Sequence, residues 1–175
     1  MNEFHQYIEA AIADATSEAE ASRSATVEAH HLLLAIAAQE GTTGQQVLAS
    51  VGLDRAALRD ALQREFEHSL EAVGVHPAEY ALPASRGKPG KPPRFGPSAS
   101  VRLAFTRGMG HGDRNPQPVQ LLLGILEAEV GTVPRALALA GVDRTELRRR
   151  ALEALEGGGP APNGSRSKMH GSTRP

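Results

Sequence analysis

Residues 31–36 read His31-Leu32-Leu33-Leu34-Ala35-Ile36, and 89 positions later the chain reads Gln120-Leu121-Leu122-Leu123-Gly124-Ile125. Downstream of the first copy, Val51-Gly52-Leu53-Asp54-Arg55 returns as Ala140-Gly141-Val142-Asp143-Arg144. Laid over each other without a gap, residues 31–59 and 120–148 agree at 13 of 29 positions, where composition alone gives roughly two or three. One helical unit therefore occurs twice and packs against its own copy. That arrangement points to a scaffold presenting a surface rather than to a pocket of reactive groups.

Composition supports an all-α interior. Hydrophobic residues make up 40% of the 175, but aromatics only 3%, with no Trp. Leu, Ile, Val and Ala must fill the core, which suits closely packed helices better than a β-sandwich. The length allows one domain, or two small halves sharing a core. A formal net charge of −1 argues against bulk electrostatic binding to nucleic acid or an anionic membrane. The absence of Cys excludes disulfides, thiol nucleophiles and thiolate metal sites. Met1-Asn2-Glu3-Phe4-His5 has neither a basic start nor an apolar stretch, so no signal peptide is expected. The apolar segments around Leu32–Ala38 and Val119–Leu126 are too short to span a membrane. The expected location is the cytoplasm.

Periodicity predicts eight helices. Phe4, Ile8, Ala11, Ile12, Ala15 and Ala19 mark one apolar face of the first, which polar Ser22 to Thr26 interrupts. Ala29, Leu32, Leu33, Ile36 and Ala37 mark the second, with Gly41 as its stop, and Val47, Leu48 and Val51 the third. Gly52 can take positive φ, and Asp54 can then cap a fourth helix built on Leu58, Leu62 and Phe66 and running to about Ala72. In the second copy Val101, Ala104 and Phe105 mark the fifth helix, and Leu121, Leu122 and Ile125 the sixth. Thr132 is a candidate cap for the seventh, with Pro134 in its first turn. Asp143 with Glu146 resembles a capping box for the eighth, which uses Leu147, Ala151 and Leu155. The repeat core is thus expected at Leu32, Leu33, Ile36, Leu121, Leu122 and Ile125.

Between the copies, Pro83, Pro89, Pro92, Pro93 and Pro97 alternate with Gly87, Gly90 and Gly96 and with Arg86, Lys88, Lys91 and Arg94. Such a segment is too basic and too Pro-rich for a core and reads as a mobile connector. The expected organisation is one domain over 1–156, made of repeat one (1–73), the basic connector (74–97) and repeat two (98–156), followed by a disordered tail over 157–175.

Phe4 with Ala11-Ile12, Ala15 and Ala19, then His31-Leu32-Leu33-Leu34-Ala35, together with the duplication itself, resembles the N-terminal repeat domain of the Clp chaperone ATPases. The resemblance covers about residues 2–156. It implies an all-α domain of two tandem four-helix repeats in pseudo-two-fold packing that binds client or adaptor proteins. No Gly-x-x-x-x-Gly-Lys-Ser/Thr loop occurs, so the expectation is a stand-alone copy without ATPase modules. The family's Gly-Thr-Glu-His is here Glu28-Ala29-His30-His31 and, in the second half, Gln117-Pro118-Val119-Gln120. Some members use those two Glu side chains to hold the guanidinium of phosphorylated arginine through charge-assisted hydrogen bonds. His30 is a poor substitute and Val119 offers no acceptor. The Thr that follows the first Phe is replaced by His5. Phosphoarginine recognition is therefore expected to be lost or greatly weakened, with His5 and His30 left as candidate ligand-binding residues.

Other chemistry fails on spacing. Adjacent His30 and His31 point about 100° apart on a helix and have no further ligand at i+4, so no metal site is expected; His31 is expected to be structural and His30 to face solvent or the groove. Gly108-Met109-Gly110-His111-Gly112 follows a helix, not a strand, and reads as a frayed helix end rather than a phosphate cradle. No Ser lies in a Gly-x-Ser-x-Gly turn, and Asp14, Glu18, Glu127 and Glu129 read as solvated helix faces. No catalytic residue and no cofactor is nominated. The expected function is a non-enzymatic module binding client proteins, adaptor proteins, Clp ATPase subunits or peptide-like small molecules, as an adaptor or a decoy in Clp-dependent protein quality control. The alternative is a DNA-associated regulator using Gly141–Leu155 as a turn plus basic helix, although the near-neutral net charge favours reading Arg148-Arg149-Arg150 as cations on a solvated helix face; a small hydrolase is a third, weaker reading.

Overall fold

The computed structural model describes residues 3–75, 96–112 and 116–157. They form α1 (Glu3–Ala21), α2 (Ala29–Ala38), α3 (Thr43–Ala49) and α4 (Arg55–Ala72), then α5 (Ala99–Met109), α6 (Pro118–Leu126), α7 (Thr132–Leu139) and α8 (Arg144–Glu156). The expected all-α fold of two four-helix repeats is what the chain adopts, with no strand among the described residues. Most of the basic connector (76–95) and nearly all of the tail (158–175) lie outside them.

The repeated corner has a local cause. Gly52 and Gly141 end the third helix of each repeat with φ of 75° and 71°, a left-handed conformation in which a Cβ is strained. Two residues later an aspartate opens the next helix. The Asp54 carboxylate accepts from the Ala57 amide at 2.7 Å, and Asp143 accepts from the amides of Thr145 at 2.8 Å and Glu146 at 3.3 Å. Each satisfies donors that the first turn leaves open. The expected capping box at α8 is only half formed: the Glu146 carboxylate goes forward to Arg149 and Arg150 instead, at 2.7 and 2.8 Å. Thr132 is not a cap either. It is the first helical residue, and the capping position belongs to Gly131, whose φ of 120° excludes a side chain without strain.

Leu32, Leu33, Ile36, Leu121, Leu122 and Ile125 are all buried, and α2 and α6, which carry them, lie at the centre. Within each repeat the first helix packs on the second, α1 on α2 and α5 on α6. Between repeats the packing is exchanged, with α3 against α6 and α8, and α4 against α7. The third helix of each half thus seals the fourth helix of the other, the reciprocal contact expected of a two-fold relation. Burying a large aliphatic side chain contributes about 1.5–3 kcal/mol, and much of that gain here requires both halves.

Three sequence expectations change at this level. Gly108 is not a frayed end; it is buried inside α5, and a Cβ there would overlap the Gln120 backbone carbonyl. Phe66, placed on the apolar face of α4, is exposed, because that face is set by Leu58, Ala61 and Glu65, one position out of step with it. Ile12 is likewise exposed, since α1 buries the narrow stripe Tyr7, Ala11, Ala15 and Ala19.

Candidate functional site at the seam between the repeats

A cleft of about 310 Å³ opens where the start of α2 meets the second repeat. Its floor is small and apolar: Ala104 on α5, Gly124 and Ile125 on α6, and Val133 on α7. The glycine at 124 lets α5 and α6 meet at backbone distance. Leu103 and Val130 stand on its walls and are exposed apolar side chains, Val130 at 86%. One end is polar, with Glu28, His30 and Ser100, and Arg107 and Glu129 also line the cleft.

Glu28 is the residue that joins the two repeats here. The Thr26 hydroxyl donates to Oε1 at 2.8 Å and the Ser100 hydroxyl to Oε2 at 2.7 Å. Ser100 Oγ in turn accepts from the Ala29 amide at 3.0 Å. Nearby, the Val27 amide donates to the Gly96 carbonyl at 3.2 Å and the Ser98 amide to the Val27 carbonyl at 3.0 Å, a single parallel bridge between the lead-ins to α2 and α5. Burial raises the Glu28 carboxyl, but the hydroxyls of Ser100, Thr26 and Ser98 and the nearby His30 outweigh it and leave the group below its ordinary value. It is an anion with both oxygens already engaged.

His30 is half-buried and faces this cleft as well as a second one bounded by α1 and α4. Burial holds its imidazole below the ordinary value, partly opposed by Glu28 and Glu65, so it is neutral at pH 7. His31 is buried and structural in its geometry. The Glu28 amide donates to its Nδ1 at 3.0 Å, which leaves the proton on Nε2 to be donated to Ser22 Oγ at 3.0 Å. Burial, followed by the neighbouring His30, pushes it down to about 4.

The other candidate, His5, is exposed and pairs with Glu9 Oε1 at 3.3 Å. It lines neither cleft around His30, so the two candidate histidines do not form one site. Val119, the second-half counterpart of His30, is fully buried. Beside its helix start, a Cβ on Gly44 would stand 3.7 Å from the Pro118 carbonyl and 3.8 Å from the Tyr7 hydroxyl. The buried Tyr7 hydroxyl thus lies close to the start of α6.

Sequence reasoning missed Glu28, Ser100 and Arg107 as site residues. Glu28 carried a signal, a carboxylate two positions before His30, but its engagement with Ser100 spans 72 positions and had no local mark. Glu18 was also misread as a solvated carboxylate. It is buried at 6% exposure and held by Arg55 and by Arg59 at 3.0 Å. Among the described residues no group of three or more His, Asp or Glu could hold a metal ion, and no helix is long and apolar enough to cross a membrane.

Comparison with curated proteins finds no match. Comparison with family models finds one over residues 3–87, the Clp repeat (R) N-terminal domain. That span takes in the whole first repeat and stops before α5. The eight-helix arrangement of two like halves agrees with it. Residues 3–87 are thus similar to the Clp repeat (R) N-terminal domain.

Proposed function

We propose that the protein is a non-catalytic binding module that takes an extended segment of a partner protein into the cleft between α5, the α6–α7 loop and the start of α2. The observation that carries this is the cleft itself, with apolar walls at Leu103 and Val130 and a polar end at Glu28, His30 and Ser100. Such a site suits one apolar side chain with main-chain amides and carbonyls satisfied at the rim. The similarity of the first half to a Clp repeat domain supports protein partners as a class. Within it, clients, adaptors and Clp ATPase subunits in the cytoplasm are the partners we put forward, with the protein acting as adaptor or decoy in Clp-dependent quality control.

Phosphoarginine is not the ligand in this reading. A guanidinium needs free carboxylate acceptors, whereas His30 is neutral, Val119 is buried, and both Glu28 oxygens accept from hydroxyls. The DNA-regulator alternative gains no support from α8. Arg149 pairs with Glu146 and Glu153, and Arg150 with Glu146 and the Ser50 carbonyl, so the basic run is largely neutralised.

A pull-down from lysate, comparing the wild-type chain with a Leu103→Asp/Val130→Asp variant, tests the proposal. Both side chains are exposed, so the variant is expected to fold. Clp ATPase subunits retained by the wild type and lost with the variant support an adaptor, and clients alone support a decoy. Equal capture by both proteins overturns this cleft as the binding site.

A further inference from the structure

Glu18 of the first repeat has a residue of opposite charge at the matching position of the second. In the first, Glu18 on α1 is clasped by Arg55 and Arg59 on α4. Counting 89 residues on, the register that superimposes the copies, Arg55 becomes Arg144 and Arg59 becomes Arg148, both retained. Glu18, however, becomes Arg107. The neighbouring small residues support the register on these helices, since Ala15 and Ala19 become Ala104 and Gly108, all buried. Where the first repeat has a carboxylate between two guanidinium groups, the second has a third guanidinium.

The three arginines line one cleft of about 480 Å³ between α5, α6 and α8, together with Arg149, Glu127, Glu129 and the apolar Leu126 and Leu152. Their charges are incompletely met. Glu127 is shared between His111 at 2.6 Å and Arg148 at 3.4 Å. Arg144 donates to the Ala128 backbone carbonyl and, like Arg107, has no carboxylate partner among the described residues. Arg107 also sits in the last turn of α5, where the helix dipole favours a cation.

We infer that this cleft binds a carboxylate side chain of an acidic partner segment, seated among Arg107, Arg144 and Arg148 as Glu18 is seated against Arg55 and Arg59. The first repeat displays the ligand chemistry within the same protein. Arginine presents a planar fork that matches a carboxylate in two parallel bonds. Glu127 and Glu129 on the same walls disfavour a dense polyphosphate, and the chain's net charge of −1 supplies no wider positive field. Arg107 also borders the seam cleft, but Arg144 and Arg148 line only this one of the two, which separates the inference from the proposal above.

The test is fluorescence anisotropy of the full chain with a short labelled peptide of consecutive glutamates and with its glutamine counterpart. The glutamate peptide is expected to bind at least about tenfold tighter, and more weakly as salt is raised. Arg107→Glu rebuilds the first-repeat clasp from within; it should melt at or above the wild-type temperature while losing about tenfold or more in affinity. The double variant Arg144→Gln/Arg148→Gln should lose binding comparably without touching the seam cleft. Equal binding of the two peptides, unchanged affinity in the double variant, or tighter binding of duplex DNA than of the glutamate peptide overturns the inference.

Discussion

A Cβ on Gly124 would overlap the backbone carbonyl of Ala104 and stand 2.7 Å from the Gly108 amide nitrogen. Helices α5 and α6 therefore cross with their backbones in contact. The first repeat has Ala35 where the second has Gly124. Gly124→Ala is expected to force the crossing apart, at about 1–3 kcal/mol or more for overpacking a filled interior. Thermal or urea unfolding measures it, and a change under about half a kcal/mol would mean that the two backbones are not in tight contact.

The paired leucines offer a test of the two-fold relation. Leu32 and Leu121 are both fully buried at matching positions. Leu32→Ala and Leu121→Ala should each lose about 2–5 kcal/mol in a single cooperative transition. Two separate transitions in urea would mean that the halves fold independently.

Glu18 is the buried member of its cluster, while Arg55 and Arg59 are about half exposed. Burial raises the Glu18 carboxyl, and the hydrogen bonds and charges of Arg55 and Arg59 overcome that and lower it. Glu18→Gln lets both cations return to water and should cost little. Replacing both arginines by methionine strands a buried carboxylate, at about 3–5 kcal/mol. The wild-type advantage over Glu18→Gln should be full above the ordinary carboxylate range and fade as pH falls through the lowered folded value.

His31 sets a second pH dependence. Its folded value of about 4 lies below the ordinary 6.5, so the unfolded chain binds more protons between those limits and stability rises with pH across them. Full stability is present above 6.5. On the order of 2 kcal/mol should be lost between pH 7 and pH 5, and less in His31→Gln. Urea midpoints at the two pH values decide it, and a His31→Gln variant with the same loss as wild type refutes the assignment.

Tyr7 carries a buried hydroxyl without a partner among the described residues, and burial pushes its phenol up. Tyr7→Phe keeps the buried ring and removes the unsatisfied group. Stability should hold or rise by about 1 kcal/mol. A loss of that size would mean that the hydroxyl is hydrogen-bonded in the folded protein.

The duplication, the helix count and the Gly-x-Asp corners were legible in the amino-acid sequence, because each is written within one turn of helix or repeated at a constant offset. Leu32 and Leu121 declare themselves by neighbours three and four positions away. Charged residues inside the molecule did not. Glu18 resembles any surface glutamate until α4 brings Arg55 and Arg59 from 37 and 41 positions away, and Glu65 until α7 brings Arg135.

Local periodicity was thus enough to specify eight amphipathic helices in two copies. It could not say which helix would seal which, because an apolar stripe is non-directional and accepts any complementary stripe. The exchange of third and fourth helices across the two-fold, the burial of Tyr7 beside the start of α6 and the backbone contact of α5 with α6 at Gly124 follow from shape and distance between residues remote in the chain. Those are settled only when the core closes.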